Sequence, residues 1–429
     1  MRSSSDQTVR ASHDVIVIGG GPAGLATSQR LTEWGIDHVV LDRGRVAERW
    51  RTERWDSLRL LTPNWQTRLP GWGYTGGDPD GYMTMPEVVD YLDQYAASFN
   101  APIIEDTEVV AVGPADRGFI VRTNRSTYLA RSVVVAAGAG PAVPGWSHSL
   151  TPSVAQIHSS AYRRPENLPP GNALVIGASA SGIQIAHELR TAGRGVVLSV
   201  GEHTRLPRTY RGRDVHWWLD VAGTLDATVD QVHDLERARR SPSLQLVGTP
   251  DHRTLDLNAL SHERVELVGR ARPSDRWSMS FEDDLRLTTA RADRRMYRLL
   301  DLFDHVATAA ALDDRLEPSD RPEPTCVPAA ATTLDLDERG ISTVLWATGF
   351  RFSYPWLDVP VFDDAGTIRH EGGVTPWPGL YTMGLPFMRR RKSTFLDGFG
   401  DDAEAIVSHL AGHLARAGIR RSGGRSRPD

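Results

Sequence analysis

Residues 14–24, Asp-Val-Ile-Val-Ile-Gly-Gly-Gly-Pro-Ala-Gly, are the stretch on which the fold turns. The run up to Gly19 is apolar without interruption, as in strands that a parallel sheet buries on both faces. The three spaced glycines then have separate duties. Gly19 permits a tight turn, Gly21 lets the backbone approach a diphosphate, and Gly24 lets a helix pack closely on the strand. Pro22 falls near the first helical position, where its missing N–H costs little. The helix start offers free N–H groups and partial positive charge to an anion. This helix is predicted to run to about Trp34, with Gly35 as its left-handed stop. A second strand, His38–Asp42, closes the unit, and Asp42 stands where a carboxylate accepts ribose hydroxyls.

The pattern returns. Asn172–Gly177 reads as a strand, Ser181–Thr191 as a helix, Gly193 as its stop and Gly195–Val200 as the next strand. The turn is Gly177-Ala178-Ser179-Ala180-Ser181-Gly182, with Ser179 in place of the middle glycine. Ser199, not an acid, ends the second strand, so no carboxylate repels a 2′-phosphate there. Arg205, Arg208, Arg211 and Arg213 follow, and guanidinium forks suit phosphate. This favours NADPH over NADH, while Glu202, a potential acceptor for a ribose 2′-hydroxyl, argues the other way. Two further apolar strands end in glycine, Ser132–Gly138 and Ser342–Gly349, and read as the crossovers out of and back into the first unit. The fold class expected is α/β with two Rossmann-like dinucleotide-binding domains, the second inserted into the first. The expected boundaries are a flexible tail over 1–13, a first domain over 14–145 and 350–418, a second over 146–349 with a substrate-side insertion at about 220–330, and a disordered tail over 419–429. Helices are predicted at Arg286–Ala310 and Asp402–Ala417, and Pro378–Gly384 as the last strand of the first domain.

Composition narrows the function. The 429 residues are 40% hydrophobic and 24% charged, which is ordinary for a globular protein. A net charge of −5 argues against a nucleic-acid partner. The single cysteine, Cys326, rules out an intrachain disulfide and a dithiol redox pair. Lys392 is the only lysine. No signal peptide or membrane span is read, so a cytoplasmic location is expected. No metal site is expected, and oligomeric state is not legible.

Two nucleotide sites call for two ligands, and the usual pair is FAD with NAD(P)H. Several stretches resemble the flavin-containing monooxygenase family of class B flavoprotein monooxygenases. They are VIGGGPAGL, the acid Asp42, Trp50 within ERWRTERWDSLRLLTPNW, QIHSSAY, VIGASASGIQIA and LWATGF. His158 and Tyr162 fall on the family's G-x-x-x-H-S-x-x-Y pattern, with Val154 in place of its glycine. The Baeyer–Villiger form of that pattern has tryptophan where this chain has Tyr162, which disfavours ketone-to-ester chemistry.

The resemblance implies that FAD lies on Gly19, Gly21, Gly24, Asp42, Trp50, Gly138, Gly398 and Gly400. It implies NAD(P)H on Gly177, Ser179, Gly182, Thr348 and, through the arginines above, Arg205 and Arg208. Asn64 is the polar side chain expected near the flavin, although many relatives carry an asparagine where this chain has Leu61. Trp50, Trp55, Trp65 and Trp72 are candidates for walling a dry pocket, with core packing as the alternative. The implied reaction is hydride transfer from NAD(P)H to FAD, addition of dioxygen to give a 4a-hydroperoxyflavin, and transfer of one oxygen atom to a small organic substrate at nitrogen, at sulfur or on a 2-oxo acid. Two other readings stay open: a flavoprotein oxidase or reductase passing electrons to a partner or to dioxygen, and a nucleotide-sensing protein without catalysis.

Overall fold

The computed structural model describes residues 9–273 and 275–422. The chain opens with β1 (Val9–Ile18), α1 (Pro22–Glu33) and β2 (His38–Leu41), followed by β3 (Ile103–Ile104), β4 (Val109–Ala115), β5 (Gly118–Thr123) and β6 (Thr127–Val135). A second series follows: β7 (Ala155–His158), β8 (Asn172–Ile176), α2 (Ala180–Thr191), β9 (Val196–Ser199), β10 (Glu266–Val268), α3 (Leu285–Ala309) and β11 (Ile341–Trp346). The chain then returns as β12 (Leu380–Thr382) and ends in α4 (Phe399–Ser422).

The first sheet has the order β3-β2-β1-β6-β5-β4, with β12 pairing parallel to β6. β1 lies parallel to both β2 and β6, while β5 and β4 add an antiparallel edge. The second sheet, β7-β11-β8-β9-β10, is parallel throughout. Apolar runs become central strands because both faces are covered. Val15 and Val17 face one core, shared by Leu25 and Leu31 of α1 and Ile406 and Leu410 of α4, while Ile16 and Ile18 face another. In the second fold, Ile183, Ile185 and Leu189 of α2 pack with Leu257 and Leu260.

The chain passes between the folds twice, and the two crossings hold each other. Gly140–Pro141 pairs antiparallel with Phe350–Arg351, and the Ala142 amide donates to the Gly349 carbonyl at 3.0 Å. Thr348 donates its hydroxyl to the Ala142 carbonyl. The His158 Nδ1 accepts from the Ser160 amide at 3.1 Å, so Nε2 carries the proton and donates to the Gly349 carbonyl at 2.9 Å. Burial holds the His158 imidazole below its usual basicity and therefore neutral. His158 is a bolt between the crossings.

Three expectations need correction. β1 starts at Val9, inside the expected tail, because Ala11–His13 extend the ladder against Tyr128–Ala130. α4 runs through Ser422, so the first residues of the expected C-terminal tail are helical. The remainder of both tails lies outside the described residues. The tryptophans do not wall one pocket. Trp50 and Trp72 pack on the core of the first fold, Trp55 packs on that of the second, and none of the four lines the large cavity described below. No helix among the described residues is long and apolar enough to cross a membrane.

Candidate active site

The two glycine turns repeat each other in geometry. A Cβ on Gly19, whose φ is +112°, would lie 2.4 Å from the Ala136 carbonyl oxygen, and one on Gly24 would lie 1.8 Å from the Gly19 carbonyl oxygen. In the second fold, a Cβ on Gly177 would lie 2.4 Å from the Ala347 oxygen, and one on Gly182 would lie 1.7 Å from the Gly177 oxygen. In each fold the outer two glycines are therefore required by contact between strand, helix and crossover. The middle position differs. A Cβ on Gly21 meets nothing within 4 Å. That open space lies at the start of α1, where Gly21 is the N-cap and no side chain caps the helix or puts a carboxylate in its first turn. The cradle fits a dinucleotide diphosphate.

Asp42 completes this cradle. Its carboxylate accepts from the Gly20 amide at 2.5 Å and from the Gly44 amide at 2.8 Å, which fixes its orientation and leaves lone pairs for hydroxyl groups. Burial pushes its pKa up, partly offset by the two amides. Gly138, with φ +69°, brings the outgoing crossover against Arg49. Trp50 lies under the Arg54 guanidinium, 5.0 Å from the ring centre. Burial, helped by the neighbouring Arg49, lowers the Arg54 pKa to about 10. At the start of α4, Gly398 is required by packing, since a Cβ there would lie 1.8 Å from the Lys392 carbonyl oxygen, whereas Gly400 has ordinary room beside Pro70. Asp402, in the first turn of α4, is pushed by burial up to about 6.

The second cradle is capped by Ser179, whose hydroxyl makes no capping bond. The Ser199 hydroxyl donates to the Gly269 carbonyl at 2.9 Å and accepts from the Ala271 amide at 3.0 Å. The strand end thus carries no acid, but its serine serves the fold.

The expected phosphate arginines are elsewhere engaged. Arg205, 2% exposed, gives Nε and Nη2 to Asp256 at 2.9 and 2.8 Å and Nη1 to Asp293 at 2.7 Å. Arg208, fully buried, takes both oxygens of Asp214, donates to the Leu61 carbonyl at 2.8 Å and lies over Tyr82. Arg211 pairs with Asp313 at 2.8 Å, and Arg213 lies over Trp217. Neither Arg205 nor Arg208 has a free edge for a 2′-phosphate. The reason is energetic: an arginine taken out of water needs carboxylates around it, and the chain supplies them to Arg205 from distant segments and to Arg208 from Asp214 close by. R205M should therefore lower unfolding free energy by about 3–5 kcal/mol in urea denaturation, with two carboxylates left uncompensated.

The guanidinium groups that do face open space line a cavity of about 1360 Å³ between the insertion and the first fold. At one end Arg270, Arg272 and Arg295 gather around Glu202 and Glu282, next to Gly201. Glu202 accepts from Arg295 at 2.7 Å, which holds its carboxyl below the usual range and occupies the group expected to meet a ribose hydroxyl. At the other end are Pro386, Phe387, Arg391 and Phe395, just before α4. Arg270 and Arg295 are not singled out by the sequence, whereas Arg391 belongs to the basic run Arg389–Lys392, which reads as a solvated loop with ligand contact as the alternative. For Arg295 the signal along the chain is the arginine stripe 291-294-295-298, at helical spacing.

Asn64 is not in this cavity. Its Nδ2 donates to the Asp78 carbonyl and its Oδ1 accepts from the Met83 amide, both at 2.9 Å, so it clamps a loop. The catalytic expectation for Asn64 is withdrawn on that ground. Leu61 and Thr62 line the cavity in its stead.

Two nucleotide-type folds in one chain mark a dinucleotide-dependent oxidoreductase class, and comparison with known proteins agrees. Residues 16–220 match the pyridine nucleotide-disulphide oxidoreductase family. A CzcO-like oxidoreductase of Geobacillus kaustophilus, itself uncharacterised, is 33% identical over 93% of this chain and 99% of its own length. A probable indole-3-pyruvate monooxygenase, YUCCA1 of Arabidopsis thaliana, is 32% identical over 44% of this chain and 47% of its own. Among solved structures, a flavin-containing monooxygenase from Stenotrophomonas maltophilia superposes with a TM-score of 0.62 at 19% identity, covering 94% of this chain and 99% of that one. The chain belongs with the CzcO-like oxidoreductases and shares the fold of the flavin-containing monooxygenase. Flavin and a nicotinamide dinucleotide are the ligands that these likenesses imply. Thioredoxin reductases share the fold, but the one cysteine here, Cys326, is exposed and alone.

Proposed function

We propose that this protein is an FAD- and NADPH-dependent monooxygenase of small organic molecules. FAD is held by the segments 14–145 and 350–418 and the coenzyme by 146–349. The observation that carries this reading is the repeated cradle, the first with an unobstructed Gly21 and Asp42, the second with a Ser179 whose hydroxyl is not spent on a cap. Bound flavin supplies the hydride acceptance and oxygen activation that no side chain can. The chain's own residues do the rest. Gly21 and the α1 N-terminus receive one diphosphate, and Asp42 orients the ribose. Leu61, Phe387 and Phe395 give the cavity an apolar wall that keeps water from the reacting region. Relatives described as acting on indole-3-pyruvate, ornithine and S-allyl-L-cysteine support oxygenation at nitrogen, at sulfur or on a 2-oxo acid.

The test is isotopic. With NADPH and ¹⁸O₂, one heavy oxygen atom should enter the product from a panel of amines, thioethers and 2-oxo acids. Consumption of NADPH with peroxide as sole product across the panel would favour the oxidase reading.

Coenzyme choice is assigned to the arginines beside Gly201. Arg270 lies 3.9 Å from the position a Gly201 side chain would take. R270A should raise the KM for NADPH roughly tenfold to a hundredfold, the loss of one charge-assisted bond, and change that for NADH less than about twofold. Equal effects on both coenzymes would place Arg270 at the shared diphosphate or in structure.

A further inference from the structure

The basic run Arg389–Lys392 is not uniformly solvated. Lys392 donates to Asp226 at 3.0 Å, and Arg390 pairs with Asp401. Arg389 lies against Gly372 and near Asp402. Arg391 alone faces the large cavity. It is half-buried, its Nε is shielded from solvent without a partner, and its guanidinium rests 5.2 Å from the Phe387 ring centre. Burial without an acid lowers its pKa, the mark of a cation lacking its counter-ion.

A second group points the same way. His216, 2% exposed, lines this end of the cavity, and its Nδ1 has no partner. Its ring lies 6.0 Å from that of Phe395. Complete burial beside Arg208 keeps it neutral, with a pKa near 3. Leu219, Leu225 and Phe395 surround the two polar groups with apolar surface.

The arginines at the far end are already gathered around Glu202 and Glu282. Arg239 also lines the cavity with an Nε shielded from solvent and without a partner, and Arg391 joins its unmatched fork to the neutral His216 ring and an apolar wall. A single planar fork matches a single planar carboxylate. We propose that the substrate is an organic acid with an apolar body, its carboxylate held by Arg391 and a second polar contact made by His216. This deepens the monooxygenase reading and rests on it for the word substrate.

Binding tests it apart from turnover. The FAD-loaded protein, saturated with NADP⁺ so that the far arginines are occupied, is titrated calorimetrically with 3-phenylpropanoate and with 3-phenylpropanamide. The wild type should bind the acid roughly tenfold to a hundredfold more tightly than the amide, as one charge-assisted contact requires. R391M should abolish that preference and alter amide affinity less than about twofold. R391K, which keeps the charge and loses the fork, should retain part of the preference and serves if R391M does not fold. R390M, which removes an equal charge from a matched pair, should retain it fully. Absence of acid preference in the wild type, its survival in R391M, or its equal loss in R390M would overturn the assignment. If no oxygen enters any product while these affinities behave as stated, the monooxygenase reading fails and the acid site stands.

Discussion

Gly21→Val should purify as folded, colourless protein. Gly21 has φ −79° and ψ −179°, extended backbone open to any residue, and its Cβ direction is empty to 4 Å. A valine there strains nothing and fills the space through which a diphosphate must approach the α1 N-terminus. Flavin content, read from absorbance near 450 nm after denaturation, should fall from near one per chain to none. The melting temperature should stay within a few degrees of that of wild-type apoprotein. Gly24→Val is the contrasting variant. Its Cβ would collide with the Gly19 carbonyl, so α1 must leave the sheet and the protein should be insoluble. Yellow G21V with normal flavin content would refute the first cradle.

Ser179→Glu should separate the two nucleotide sites. Bulky replacement of Gly177 or Gly182 would test folding, because both contact backbone carbonyls under 2.5 Å from a built Cβ. Ser179 is free of that constraint: it caps α2 without a side-chain bond, and a carboxylate at a helix N-terminus favours the helix. The same carboxylate repels a diphosphate. The variant should purify yellow and accept electrons from dithionite normally, with the KM for NADPH raised about a hundredfold or more, a loss of ~3 kcal/mol. Loss of flavin from folded S179E would contradict two separate sites. Unchanged reduction by NADPH would remove the coenzyme from this turn.

Which features could be read along the chain follows from their range. The spacing Gly19-Gly21-Gly24 and its repeat at 177–182 are local, since each glycine answers to the turn and to the strand beside it. They carried the two folds, and the apolar runs ending in Gly138 and Gly349 located the crossovers. α3 was legible to within a residue at each end, because Met296, Leu300 and Phe303 give it a buried stripe. Arg205 and Arg208 were misread for the opposite reason. Adjacent to the strand end, they look like phosphate ligands, yet Asp256 and Asp293 are brought to Arg205 by later segments, and the chain turns back at Asp214 to cover Arg208. Asn64 was misread likewise, its two partners lying 14 and 19 residues on.

The sequence by itself determined two nucleotide cradles, their order, and the exclusion of dithiol chemistry, because these depend on backbone conformation within a few residues and on a count of cysteines. Only the tertiary structure decided which cations are spent on the fold and which remain for ligands. A guanidinium is neutralised by whatever carboxylate folding places beside it, and that distance is set by packing. Of the clustered arginines, Arg205 and Arg208 fell inside with acids, and Arg391 fell against a cavity without one.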